Sequence, residues 1–135
     1  MFSDLIMKDV SIARKKFTVI LEKDFVYEND DIKIVVCKGF DYDLASIPQI
    51  FQNLISKVGL YDCAATIHDW LYAAQAIDRS EADKIFRNAM KESGVGFVER
   101  WTMYYAVHIF SYFIYKACAK DAKMYKQLGC IVRKR

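Results

Sequence analysis

The sequence predicts an α+β domain: a small N-terminal antiparallel sheet followed by about four helices, the last of them long and central. Three observations predict it. Short runs of β-branched and aromatic residues are concentrated before residue 40. After Ser46, apolar residues recur at i, i+3 and i+4. Hydrophobic residues make up 54% of the 135, above the usual ~45–50%, which is enough for one core in one domain.

Residues 17–21 and 32–37 read as strands, with a further strand over 25–27. Glu28-Asn29-Asp30-Asp31 is the polar turn between the latter two, and Gly39 marks the exit from the sheet. Ser46 is placed to cap a helix reaching about residue 57, with Pro48 tolerated in its first turn. Gly59 ends that helix, and a second runs over about 61–74 with Tyr61, Ala64, Ala65, Leu71 and Tyr72 on its apolar stripe. A third opens at Arg79-Ser80-Glu81-Ala82-Asp83, where Ser80 and Asp83 resemble a capping box. Ala82, Ile85, Phe86, Ala89 and Met90 form its inner stripe, and Gly94 and Gly96 break it. The last long helix spans about 97–119 and is apolar nearly all round, as a helix packed on several sides should be.

Net charge is +3, unevenly placed: residues 116–135 hold seven basic side chains and one acid, Asp121. The expected organisation is a domain over residues 1–119 and a basic C-terminal tail over 120–135, freed by Gly129. Such a tail is solvated, or attracted to anionic lipid, nucleic acid or an acidic protein; no specific nucleic-acid partner is expected. Cys37, Cys63, Cys118 and Cys130 have neither zinc-ligand spacing nor the density of a disulfide scaffold, which points to buried thiols in a reducing compartment. No basic segment precedes an apolar run at the N-terminus, so no cleavable signal is expected. Residues 101–115 carry no formal charge. A membrane-spanning helix needs ~20 apolar residues, so this run reads as a buried helix.

Chemistry is concentrated in Ala64-Ala65-Thr66-Ile67-His68-Asp69-Trp70-Leu71-Tyr72. His68 falls within the apolar stripe, where it is either a core histidine satisfied by its neighbours or part of a site with Asp69, which projects about 100° round the helix from it, and Tyr72, which at i+4 shares its face. Asp83 on the next helix has two readings. It is a capping acid that favours the helix dipole, or it is the carboxylate that orients the His68 imidazole as a general base. Asp69 is then left for a metal or a water, with Asp43 in the loop after Gly39 as a second oxygen ligand, a set suited to calcium or another divalent cation. His108, on the apolar last helix without an adjacent acid, reads as structural. No G-x-S-x-G, phosphate-cradling glycine loop or H-E-x-x-H is present.

The order Gly39-Phe-x-x-Asp43-Leu-Ala-Ser-Ile-Pro48, Ala64-Ala65-x-x-His68-Asp69-x-Leu-Tyr72 and Arg79-x-x-Ala-Asp83-x-x-Phe86 resembles a phage and prophage domain family of unknown function, with Arg100-Trp101-x-Met-Tyr104 fitting it as well. Over fewer residues, His68-Asp69-x-x-Tyr72 and Ala82-Asp83 are similar to the helix pair of phospholipase A2, although the chain lacks that family's glycine-rich calcium loop and its disulfides. The second resemblance implies His68 as the base that activates water, Asp69 as a calcium ligand, and Tyr72 and Asp83 as braces.

The expectation is therefore a phage-encoded accessory protein of the host cytoplasm or the virion. Its His/Asp site would be that of a metal-dependent hydrolase of lipid or other esters. The alternative is a non-enzymatic virion component, or a binding protein that blocks or sequesters a host factor. The aromatic surplus of nine Phe, nine Tyr and two Trp would then serve a phage or host protein partner or an oligomer interface.

Overall fold

The computed structural model describes residues 1–9, 19–42 and 61–134. It has the α+β architecture the sequence predicts, with two three-stranded antiparallel sheets in place of one. In the first, β2 (Val19–Leu21) lies between β1 (Met7–Asp9) and β5 (Asp41–Tyr42). In the second, β4 (Ile32–Val36) lies between β3 (Phe25–Glu28) and β6 (Gly129–Arg133). The helices are α1 (Asp62–Ala74), α2 (Arg79–Glu92), α3 (Phe97–Phe110), α4 (Tyr112–Cys118) and, after a 3-10 turn, α5 (Ala122–Lys126).

Alternation sets the inner face of the second sheet: Phe25 and Tyr27 on β3, and Ile32, Ile34 and Val36 on β4, are buried. The turn between these strands is built by Asn29, whose Oδ1 accepts from the backbone N–H of Asp31 at 2.8 Å and of Ile32 at 2.9 Å. The first sheet is joined to α1 through Tyr42. Its hydroxyl lies 2.8 Å from Thr66 Oγ1, which donates in turn to the Asp62 carbonyl. Helix α1 is buried almost all round, with Ile67, Trp70 and Leu71 in the core. Helix α2 is amphipathic and buries the predicted stripe of Ala82, Ile85, Phe86, Ala89 and Met90.

Four expectations are corrected. The C-terminal residues are not a free appendage: 129–133 pair with β4 along its whole length, from Gly129 opposite Val36 to Arg133 opposite Ile32. Gly129 frees nothing. A Cβ added there would lie 2.5 Å from Trp70 Cζ2 and from the Val35 carbonyl oxygen, so its bare backbone is what lets β6 close over the indole. Two of the basic groups in this region are held by the body of the domain, Arg133 on Glu81 at 2.7 Å and Lys134 on Glu28 at 2.6 Å.

The long last helix is interrupted at Ser111, whose backbone N–H and hydroxyl both donate to the Val107 carbonyl. It is not a helix packed on all sides, because Phe97, Val98, Tyr105, Ile109 and Phe110 on α3, and Tyr112 and Phe113 on α4, are exposed. The cap of α2 is Asp78 rather than Ser80: Asp78 Oδ1 accepts from the Glu81 N–H at 2.8 Å. The cysteines are not buried. Three are half-buried, Cys130 is exposed, and none is in a disulfide. The helix expected over 46–57 lies outside the described residues. No helix among the described residues is long and apolar enough to cross a membrane.

Candidate active site

Helices α1 and α2 are joined by only the four residues 75–78, so their apolar stripes pack against each other and bring His68 and Tyr72 up to Asp83. The shift of the cap to Asp78 puts Asp83 beyond the first turn of α2, where it cannot act as a capping acid. Asp83 is instead wholly buried and accepts on both oxygens. His68 Nε2 lies 2.8 Å from Oδ1, and the Tyr72 hydroxyl donates to the same oxygen at 2.5 Å. His108 Nδ1, from α3, lies 2.9 Å from Oδ2. Arg79, one turn before Asp83 on α2, places Nη1 3.6 Å from Oδ2.

This arrangement determines the charge. Burial raises the Asp83 pKa, but the hydrogen bond and positive charge of His68, with the hydrogen bonds from Tyr72 and His108, outweigh burial and hold the carboxyl below its ordinary value. Burial, and then the adjacent carboxylate, push the Tyr72 phenol far up, so its proton stays on and is donated. The Tyr72 oxygen also lies 2.7 Å from Ser111 Oγ. Because an ionised carboxylate only accepts, Nε2 of His68 is the donor in this contact. Nδ1 has no hydrogen-bond partner among the described residues. The imidazole packs against the rings of Tyr72 and Phe86, with centroids 4.2 and 4.7 Å away, and His68 is 6% exposed.

The structure thus brings together three of the predicted residues, His68, Tyr72 and Asp83. Asp69 follows on α1, half-buried, with its charge adding to the burial that raises the Tyr42 phenol. Asp43 lies outside the described residues. Among the described residues no group of three or more His, Cys, Asp or Glu side chains is placed to hold a metal ion. A hard cation takes six to eight oxygens, so the described residues do not make up a calcium site.

Three partners escaped the sequence reading. His108 is no bystander but the third donor on Asp83, with about a third of its side chain in solvent. Ser111 and Arg79 complete the cluster. A signal was present for the first two: His108 and Ser111 are two of the few polar side chains in an otherwise apolar run and stand three residues apart, on one helical face.

The profile of a family described as a protein of unknown function (DUF1353) matches residues 19–107, well over half of the chain. The chain belongs to this family. The matched stretch carries His68, Tyr72, Arg79 and Asp83, while His108 and Ser111 lie beyond its end. Neither a curated protein nor a solved structure gives a match.

Proposed function

We propose that the chain is a small hydrolase of esters, lipid esters among them, with His68 as its base. The observation that carries this is the contact of His68 Nε2 with a buried, ionised Asp83, which leaves Nδ1 without a hydrogen-bond partner among the described residues. In this reading Nδ1 takes a proton from water, and the water oxygen bonds to the ester carbonyl carbon. The carbon–oxygen bond to the alcohol then breaks, and the departing oxygen takes the proton back from Nδ1. Asp83 steadies the imidazolium without itself being protonated, and Tyr72 and His108 hold the carboxylate in place. No step is routed through a cation. The motif pattern supports a phage or prophage accessory protein, at work in the host cytoplasm or carried in the virion.

A second reading, a non-enzymatic binding or virion component, is favoured by one observation: His68 is only 6% exposed beneath the rings of Tyr72 and Phe86. One experiment separates the two. The purified protein is assayed on phospholipid vesicles and on short-chain aryl esters, with calcium and with a chelator, beside His68→Gln. Ester turnover that disappears in a folded His68→Gln supports the hydrolase. A folded wild-type protein with no turnover on either substrate, and a His68→Gln variant whose only defect is a lower Tm, supports the binding component.

A further inference from the structure

Helices α3 and α4 carry an apolar stripe exposed among the described residues. Phe97, Val98, Tyr105, Ile109, Tyr112 and Phe113 are all about half exposed or more, up to 77% at Phe113. The stripe follows i, i+4 and i+7 spacing along the two helices, and no residue from 101 to 115 is charged. Soluble monomers rarely expose more than a few hundred Å² of contiguous apolar surface. Large side chains exposed to this degree contribute on the order of 100 Å² each, so the stripe offers on the order of 600 Å². That approaches the ~800 Å² that each partner gives to an interface of standard size.

We propose that the occupant of this stripe is a second copy of this chain, docked antiparallel along α3 and α4. Two features select a copy over other partners. The stripe is neutral, so the same surface can meet itself across a two-fold axis without opposing like charges. Its ends are complementary: exposed Glu99 stands at the α3 end, and exposed Lys116 and Lys120 stand at and just beyond α4. Antiparallel docking brings Glu99 of each copy toward Lys116 of the other and crosses the two helices near residues 105–109. An anionic membrane fits less well, because two cations beside the stripe are turned back onto the chain. The Arg100 guanidinium lies over Phe97 and donates to the Val95 carbonyl, and Arg79 lies beside Asp83 and Tyr112. The dimer stands whether or not the site turns over a substrate.

Sedimentation equilibrium of the full chain over a concentration series tests this, with circular dichroism as the check on folding. A monomer–dimer equilibrium is expected. Ile109→Glu and Phe113→Glu, both at exposed positions, should each raise the dissociation constant about tenfold or more. Glu99→Lys and Lys116→Glu should each weaken the dimer, and the two together should restore it. A monomer at every concentration, including one that instead floats with anionic vesicles, overturns the proposal. So does a dimer indifferent to Ile109→Glu and Phe113→Glu. Dimer loss in both charge variants without restoration in the pair overturns the antiparallel arrangement.

Discussion

Oδ1 of Asp83 lies 2.8 Å from Nε2 of His68, and almost none of either side chain is in contact with water. A carboxylate at such depth is tolerated only because two imidazoles, a phenol and a nearby guanidinium compensate it. The three partners on α1 and α3 depend on that acid in turn, so the cluster ties three helices together at one atom group.

Asp83→Ala should therefore be among the most destabilising substitutions in the chain. Removing one member of a buried, hydrogen-bonded charge set costs about 3–5 kcal/mol, because its partners are left buried and unpaired. The comparison is Asp78→Ala, which removes only the cap of the same helix and should cost about 1 kcal/mol. Urea unfolding of the two variants beside the wild type checks the ranking, and a smaller loss at Asp83 than at Asp78 would refute it.

The same carboxyl fixes the acid side of the stability profile. Its folded pKa is held below the ordinary value of 3.8, so the folded state binds this proton less readily than the unfolded state. The stabilisation is fully present above the unfolded pKa, in the region of pH 4. It is lost as pH falls through the lower folded value. Midpoints of unfolding measured between neutral pH and pH 3 should fall steeply at the acid end. In Asp83→Asn, which has no proton to gain, that part of the slope should disappear.

Tyr72→Phe isolates one donor. It leaves the ring in place against His68 and removes the hydroxyl shared by Asp83 and Ser111. A hydrogen bond to a charged group is worth about 1.5–3 kcal/mol, so the loss of stability should fall in that range. Tyr115→Phe, whose hydroxyl reaches only the Ile77 carbonyl from a half-buried site, should lose less. Equal losses at the two tyrosines would show that Asp83 does not depend on the phenol.

How much of this was legible in the sequence depended on whether the signal was local. The meeting of His68, Tyr72 and Asp83 could be read because i, i+4 spacing fixes a face on α1, and a four-residue connection leaves the next helix little choice of neighbour. The strands 19–21, 25–28 and 32–36 were legible for the same reason, since alternation and the Asn29 turn are properties of adjacent residues. The α2 cap was misplaced by two residues because Asp78 and Ser80 are both good caps, and backbone geometry decides between them. His108 was missed because its partner lies 25 residues earlier, on a different helix. The pairing of β6 with β4 spans about a hundred residues, and a five-residue strand with basic ends is locally indistinguishable from a solvated tail.

That long-range pairing gives the last prediction. Gly129 lies where the β6 backbone passes closely against Trp70, and an alanine Cβ would meet the indole and the Val35 carbonyl at 2.5 Å, well inside any van der Waals contact. Trp70 cannot easily withdraw, because it is 1% exposed and its Nε1 donates to the Tyr125 carbonyl at 3.1 Å. The Val35 oxygen cannot withdraw either, because it belongs to the central strand of its sheet. Overpacking of a closed site costs about 1–3 kcal/mol, and here the alternative is for β6 to leave the sheet. Gly129→Ala should lower the Tm by several degrees and shift Trp70 fluorescence to the red as the indole gains water. Cys130→Ala, one residue along on an exposed side chain, should do neither. Unchanged fluorescence and Tm in Gly129→Ala would mean that β6 does not lie against Trp70 in solution.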